Sequence, residues 1–128
     1  MRAVDTNTLV RLIARDDLRQ LRAAEIFVAN GVWVSVLALA EAAWVLKSAY
    51  GLQSRELADA IEMLLEQEHL VVQSRETVAA ALMLFREKPS LGFSDCMILE
   101  LARQAGHLPL GTFDKDLARM EGALKLPA

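Results

Sequence analysis

Apolar and polar positions along the chain switch repeatedly between two periods. Residues 2–5 give a short strand-like start, Arg2-Ala3-Val4, that meets Asp5. Helical spacing follows over about 6–14, where Leu9, Val10, Leu12 and Ile13 recur, and again over about 17–29, where Leu18, Leu21, Ala24, Ile26 and Val28 are apolar. Asn30-Gly31 stops that helix. Val32-Trp33-Val34 is β-branched and aromatic and predicts a second strand. Ser35 then caps a helix from Val36 to about Tyr50, so uniformly apolar that burial on most sides is expected. Gly51 ends it, and Ser54 to about Gln67 reads as another amphipathic helix.

The second half repeats the alternation. His69 to Val72 predicts a third strand, and Ser74 to Arg86 a helix. The first clear loop is Glu87-Lys88-Pro89-Ser90-Leu91-Gly92, followed by a helix from about Ser94 to Ala105 that Gly106 terminates. Leu108 to Thr112 predicts a fourth strand, Asp114 opens a last helical turn, and Ala123 to Leu126 a closing strand. Strands alternating with helices imply an α/β fold with a mostly parallel sheet of four to five strands, sandwiched by helices. No linker or internal repeat interrupts residues 1–128, so a single domain is expected.

Composition narrows the function only at the margins. Apolar residues make up 54% and charged residues 24%, which places the chain among globular proteins rather than disordered ones. A net charge of −3 excludes a strongly basic nucleic-acid binder. It leaves open an enzyme that holds phosphate through metal ions and a few arginines. One cysteine, Cys96, forms no internal disulfide and reads as core packing. The longest apolar run, Val32 to Leu46, is shorter than a membrane span and carries Glu41. No signal peptide is expected, and the reading is a cytoplasmic protein with no membrane partner.

Four acids stand out against this pattern. Asp5 ends the first strand, Asp95 lies in the first turn of the helix after the Pro-Gly loop, and Asp114 follows the fourth strand. Each has an ordinary explanation as a helix cap or a partner of the helix dipole. Glu41 is harder to explain away. It is the only charge between Val32 and Leu46, and a buried carboxylate there would cost several kcal/mol, so it needs a partner or an ion unless this face opens to water. In open α/β sheets, groups beyond the strand ends face the ligand site. Several carboxylates gathered there repel one another, and a hard divalent cation removes the conflict. Oxygen-only donors favour Mg²⁺ or Mn²⁺ over zinc.

These same stretches carry a resemblance. VDTNTLV, the helix after WVSVLALAE, GFSDCMIL and LGTFDKDL resemble the PIN domain, and more narrowly the VapC-type toxin ribonucleases of bacterial toxin–antitoxin pairs. The resemblance spans essentially the whole chain. It implies a PIN-like three-layer α/β/α sandwich and a metal-dependent endoribonuclease. It also implies a homodimer, an RNA substrate and a small VapB-like antitoxin that docks over the site. Carried over residue by residue, it implies an acidic quartet of Asp5, Glu41, Asp95 and Asp114. Asn7 and Thr112 support the acids by hydrogen bonding, and Asp116 is a nearby substitute for Asp114.

Two other functions fit parts of the pattern. D-T-N-T-L after a strand is also similar to the first motif of haloacid-dehalogenase-like phosphotransferases, with Asp5 as a covalent nucleophile. A catalytically silent PIN-fold binding module is the non-enzymatic alternative. Arg11, Arg15, Arg19 and Arg22 form either a solvated face or a track for RNA phosphates. Trp33 and Trp44 are expected in the core or on a dimer face.

Overall fold

The structure is a computed structural model that describes all 128 residues. It divides into two compact units, residues 1–75 and 76–128. The first unit holds strands β1 (Arg2–Ala3), β2 (Val32–Val34) and β3 (Leu70–Val72). They pair in parallel in the order β1-β2-β3. Between β1 and β2 run helices α1 (Thr6–Ala14) and α2 (Leu18–Val28). Between β2 and β3 run α3 (Val36–Ser48) and α4 (Ser54–Glu66).

Local chemistry sets these boundaries. Asp17 caps α2 by accepting from the Gln20 amide, and the Ser35 hydroxyl caps α3 by accepting from the Ala38 amide. At α4 the Gln53 and Glu56 side chains form a reciprocal capping box. Arg15 closes α1 in the left-handed region at φ 55°, so the chain turns into α2 without a glycine.

Consecutive parallel strands joined by right-handed crossovers carry their helices to one face of the sheet. Burial in the first unit follows this rule. Val32, Val34, Leu70 and Val72 are buried, whereas Trp33 and Val71, which alternate with them, are exposed. The helical side of the core is built from Leu9, Val10, Leu39, Leu46 and Ile61, each almost fully enclosed.

The second unit contains α5 (Arg75–Glu87, whose first residue belongs to the first unit), α6 (Phe93–Ala105), β4 (Leu110–Thr112) and β5 (Ala123–Lys125). Strands β4 and β5 form a separate parallel pair. Short 3₁₀ turns at Pro89–Leu91 and Leu117–Arg119 enter α6 and β5. Phe85 and Phe93 meet edge to face at 6.0 Å, pinning the end of α5 to the start of α6. Arg103 on α6 donates to Glu100 and to the Glu121 carbonyl, which fixes the approach to β5.

The α/β class and the alternation of elements agree with the sequence pattern. Two expectations are corrected. The five expected strands are present and parallel, but they pair as sheets of three and two rather than as one sheet. Helix α3 is not buried on most sides. Leu37, Glu41 and Trp44, spaced one turn apart, are all exposed. Uniform apolarity hid the fact that only Ala38, Leu39, Ala42, Ala43 and Leu46 face the core.

Candidate active site

In the first unit the site begins where β1 stops. Asp5 is the N-cap of α1, in extended conformation. Its Oδ1 accepts from the Thr8 amide at 3.0 Å and from the Thr8 hydroxyl at 2.9 Å. These two donors, the amide first, hold the carboxyl below the usual aspartate range, with smaller help from the Asp5 and Asn7 amides against slight burial. The carboxylate is exposed and both strong bonds fall on the same oxygen.

Glu41 joins this group through the next residue. Thr6, at the first position of α1, donates its hydroxyl to Glu41 Oε2 at 2.9 Å. Helices α1 and α3 pack together, so this bond fixes the glutamate side chain against the end of β1. Glu41 therefore meets no burial penalty: it is exposed and hydrogen-bonded. The face of α3 that carries Glu41 opens to water, which is the alternative to a buried charge. The carboxylate accepts from Thr6, although an exposed glutamate does not require a partner.

The second unit holds the other two acids. Asp95 is in the first turn of α6, which Gly92 enters at φ 81° with no side-chain cap. It is half-buried, and its pKa is pushed upward, first by burial and second by the charge of Asp114. Asp114 is locked in its own turn. Its Oδ1 accepts from the Asp116 amide at 2.8 Å and the Leu117 amide at 2.9 Å. Its amide donates to the Thr112 hydroxyl at 3.0 Å, so the last residue of β4 positions the acid that follows it.

The structure thus brings the four acids together in two pairs, each inside one unit: Asp5 with Glu41 through Thr6, and Asp95 with Asp114 through the electrostatic field. No three His, Cys, Asp or Glu side chains form a group that could hold a metal ion by themselves. Thr112 supports Asp114 as expected, but by accepting from its backbone. Asn7 contributes its amide, while the side-chain donor to Asp5 is Thr8. Asp116 gives its own amide to Asp114, so in this turn it serves that acid.

Thr6 and Thr8 are the residues that sequence reasoning missed. The signal was present, since a hydroxyl three residues after an N-cap aspartate lies over the cap, but it competes with an ordinary helix-start reading. Two of the four arginines are committed to partners within the first unit. Arg11 is engaged with Asp16, Tyr50 and Gln20, and Arg15 pairs with Glu25 at 3.9 Å. Cys96 is fully buried, with burial first and the charges of Asp95 and Glu100 next pushing its thiol up to about 12, so it is no nucleophile. Trp33 and Trp44 are exposed rather than in the core. No helix is long and apolar enough to cross a membrane.

Comparison with known proteins bears on the same residues. The sequence model of the PIN domain matches residues 2–123, a span that includes all four acids. Searches among curated proteins and among solved structures return no match. Six helices with short parallel sheets of three and two strands are consistent with the PIN α/β/α fold. The chain belongs to the PIN domain family, generally a nuclease fold.

Proposed function

We propose that the chain is a metal-dependent endoribonuclease of the VapC toxin type, with Asp5, Glu41, Asp95 and Asp114 as its catalytic acids. The observation that carries this reading is the Asp95–Asp114 pair. A half-buried aspartate whose ionisation a second aspartate opposes is a poor structural device and a good cation ligand. Family membership supports the nuclease class independently.

The donor chemistry fits Mg²⁺ or Mn²⁺. All candidate ligands are carboxylate oxygens, the preference of hard divalent ions, and a bound cation favours the ionised form of Asp95 that burial first and the charge of Asp114 second oppose. On the family resemblance, Asp5, Asp95 and Asp114 are the ligands to expect, with Glu41 completing the donor set or orienting the attacking water. When bound, the ion supplies a more acidic water and neutralises charge developing on the phosphate. The chain's own residues do the positioning. Thr8 holds Asp5 ionised, so this acid is available as a ligand well below neutral pH. Thr6 keeps Glu41 in one orientation, which lowers the entropy lost when it engages water. Thr112 and the amides of Asp116 and Leu117 fix Asp114.

A small antitoxin that covers the acids, a homodimer and a cytoplasmic site of action complete the reading, on the strength of the resemblance. The test is cleavage of single-stranded RNA by the purified protein. Activity is expected with Mg²⁺ or Mn²⁺ and is expected to vanish in EDTA and return on adding the metal. Metal-independent cleavage, or none under any metal, overturns the proposal. A silent binding module is the outcome in the second case.

A further inference from the structure

Beside Asp5, wholly within the first unit, lies a groove of about 570 Å³ between the β1–α1 junction and α2. That volume falls in the roughly 300–1,000 Å³ range of sites that take small ligands. Its lining divides by chemistry. Ala24 and Phe27 supply apolar surface from α2, and Asn7, Arg11 and Gln20 supply polar groups from α1 and α2. Asp5 stands among them, so the groove is continuous with one of the proposed catalytic acids.

Two features show that this lining is held in place. The Arg2 guanidinium lies 3.8 Å from the centre of the Phe27 ring and donates to the Phe27 carbonyl at 3.2 Å, which fixes that aromatic. The Arg11 Nε donates to Gln20 Oε1 at 2.7 Å, and its Nη1 donates to Asp16 and to the Tyr50 hydroxyl, both at 2.8 Å. Arg11 is thereby rigid, with Nη2 outside these bonds. Gln20 has its carbonyl oxygen occupied by Arg11, which leaves its amide hydrogens as donors of fixed orientation.

We infer that this groove is the subsite for one unpaired nucleotide of the RNA next to the scissile phosphate. Phe27 gives the base an apolar surface and Gln20, braced by Arg11, donates to the base edge. Single-stranded RNA is read in this way, by an aromatic surface and hydrogen bonds to a splayed base. The inference rests on the nuclease reading for the word scissile, and not for the binding itself.

The experiment separates the two. Short single-stranded RNA labelled with a fluorophore is titrated by anisotropy against the cleavage-silent Asp95→Asn variant, with and without Gln20→Leu or Phe27→Leu. Each added substitution is expected to weaken binding about 5- to 10-fold, on the scale of one lost base contact, while the melting temperature changes little. In the otherwise wild-type protein, the same substitutions are expected to relax the nucleotide preference at one position flanking the cut. The preference at other positions should be kept. Unchanged affinity and unchanged preference in both variants overturn the inference. If the wild-type protein cleaves nothing but the RNA affinity still drops, the groove stands and the nuclease reading falls.

Discussion

Asp5 and Asp95 each stand at the start of a helix, next to a strand end or a loop, and the protein treats their charges in opposite ways. Asp5 is exposed, and two Thr8 donors lower its pKa. Asp95 is half-buried, has no cap to make because Gly92 occupies that position, and is pushed upward by burial and by Asp114. The first arrangement is what helix capping produces anyway. The second is one that stability alone does not favour. A carboxylate whose ionised form is penalised weakens the fold at neutral pH, so its presence points to a ligand that repays the penalty. The acid pair of the second unit is therefore the more diagnostic of function, although Glu41 looked so in the sequence.

The comparison can be broken most directly at Asp95. Asp95→Asn removes the charge of a proposed metal ligand and keeps the side chain's shape. RNA cleavage at saturating Mn²⁺ is expected to fall by at least about 100-fold, the scale of losing one preorganised electrostatic group. Cleavage within a few-fold of wild type would show that the strained acid is not used.

A smaller effect is expected on the other side of the comparison. Thr6→Val keeps the helix start and removes the only side-chain donor to Glu41. Loss of such a supporting bond typically costs 10- to 100-fold in metal affinity or activity, roughly. Isothermal titration with Mn²⁺ and single-turnover cleavage would each report it, while Thr6→Ser should restore both.

The smallest effect sharpens the contrast in stability. The Asp95 pKa is raised above its unfolded value of 3.8, so the native state binds more protons than the unfolded state over that window. Stability therefore falls as pH rises through it, and the full penalty persists above it. Without added metal, Asp95→Asn is expected to raise the melting temperature at pH 7, and the gain should disappear as pH falls below the carboxylate range. Asp5, with its pKa lowered, contributes stability above its unfolded pKa that is lost as pH falls. Thermal scans between pH 3 and pH 8 test both signs, and a melting temperature for Asp95→Asn below wild type at pH 7 would contradict the account.

Much of the fold was legible because its signals are local. Asp5, Asp17 and Ser35 cap the helices they precede, and Val32–Val34 is the strand its β-branching predicts. The division of the strands into a set of three and a pair was not legible because strand pairing is a long-range property. Leu110–Thr112 reads as a strand in isolation, but nothing in its sequence says that its hydrogen-bonded partner is β5 alone. Glu41 was found for a partly wrong reason. An all-apolar helix does not reveal which stripe is left open, and the exposed stripe is the one that carries the acid. Thr6 and Thr8 escaped because a hydroxyl's partner depends on where α3 packs and where the cap carboxylate turns. The groove beside Asp5 has no sequence signature, since its residues come from β1, α1 and α2 at irregular spacing.

The central claim, that the cap acid of α1 is also a catalytic acid, is tested most directly by Asp5→Asn. Asparagine caps a helix about as well as aspartate, so the Thr8 bonds and the fold are expected to survive. The measurement is cleavage of single-stranded RNA by the folded variant, confirmed by circular dichroism, at saturating Mg²⁺ or Mn²⁺. The account predicts a loss of at least about 100-fold, with at most a small fall in melting temperature from the lost charge at the Thr8 donors. A folded Asp5→Asn protein that cleaves RNA as fast as wild type would contradict it.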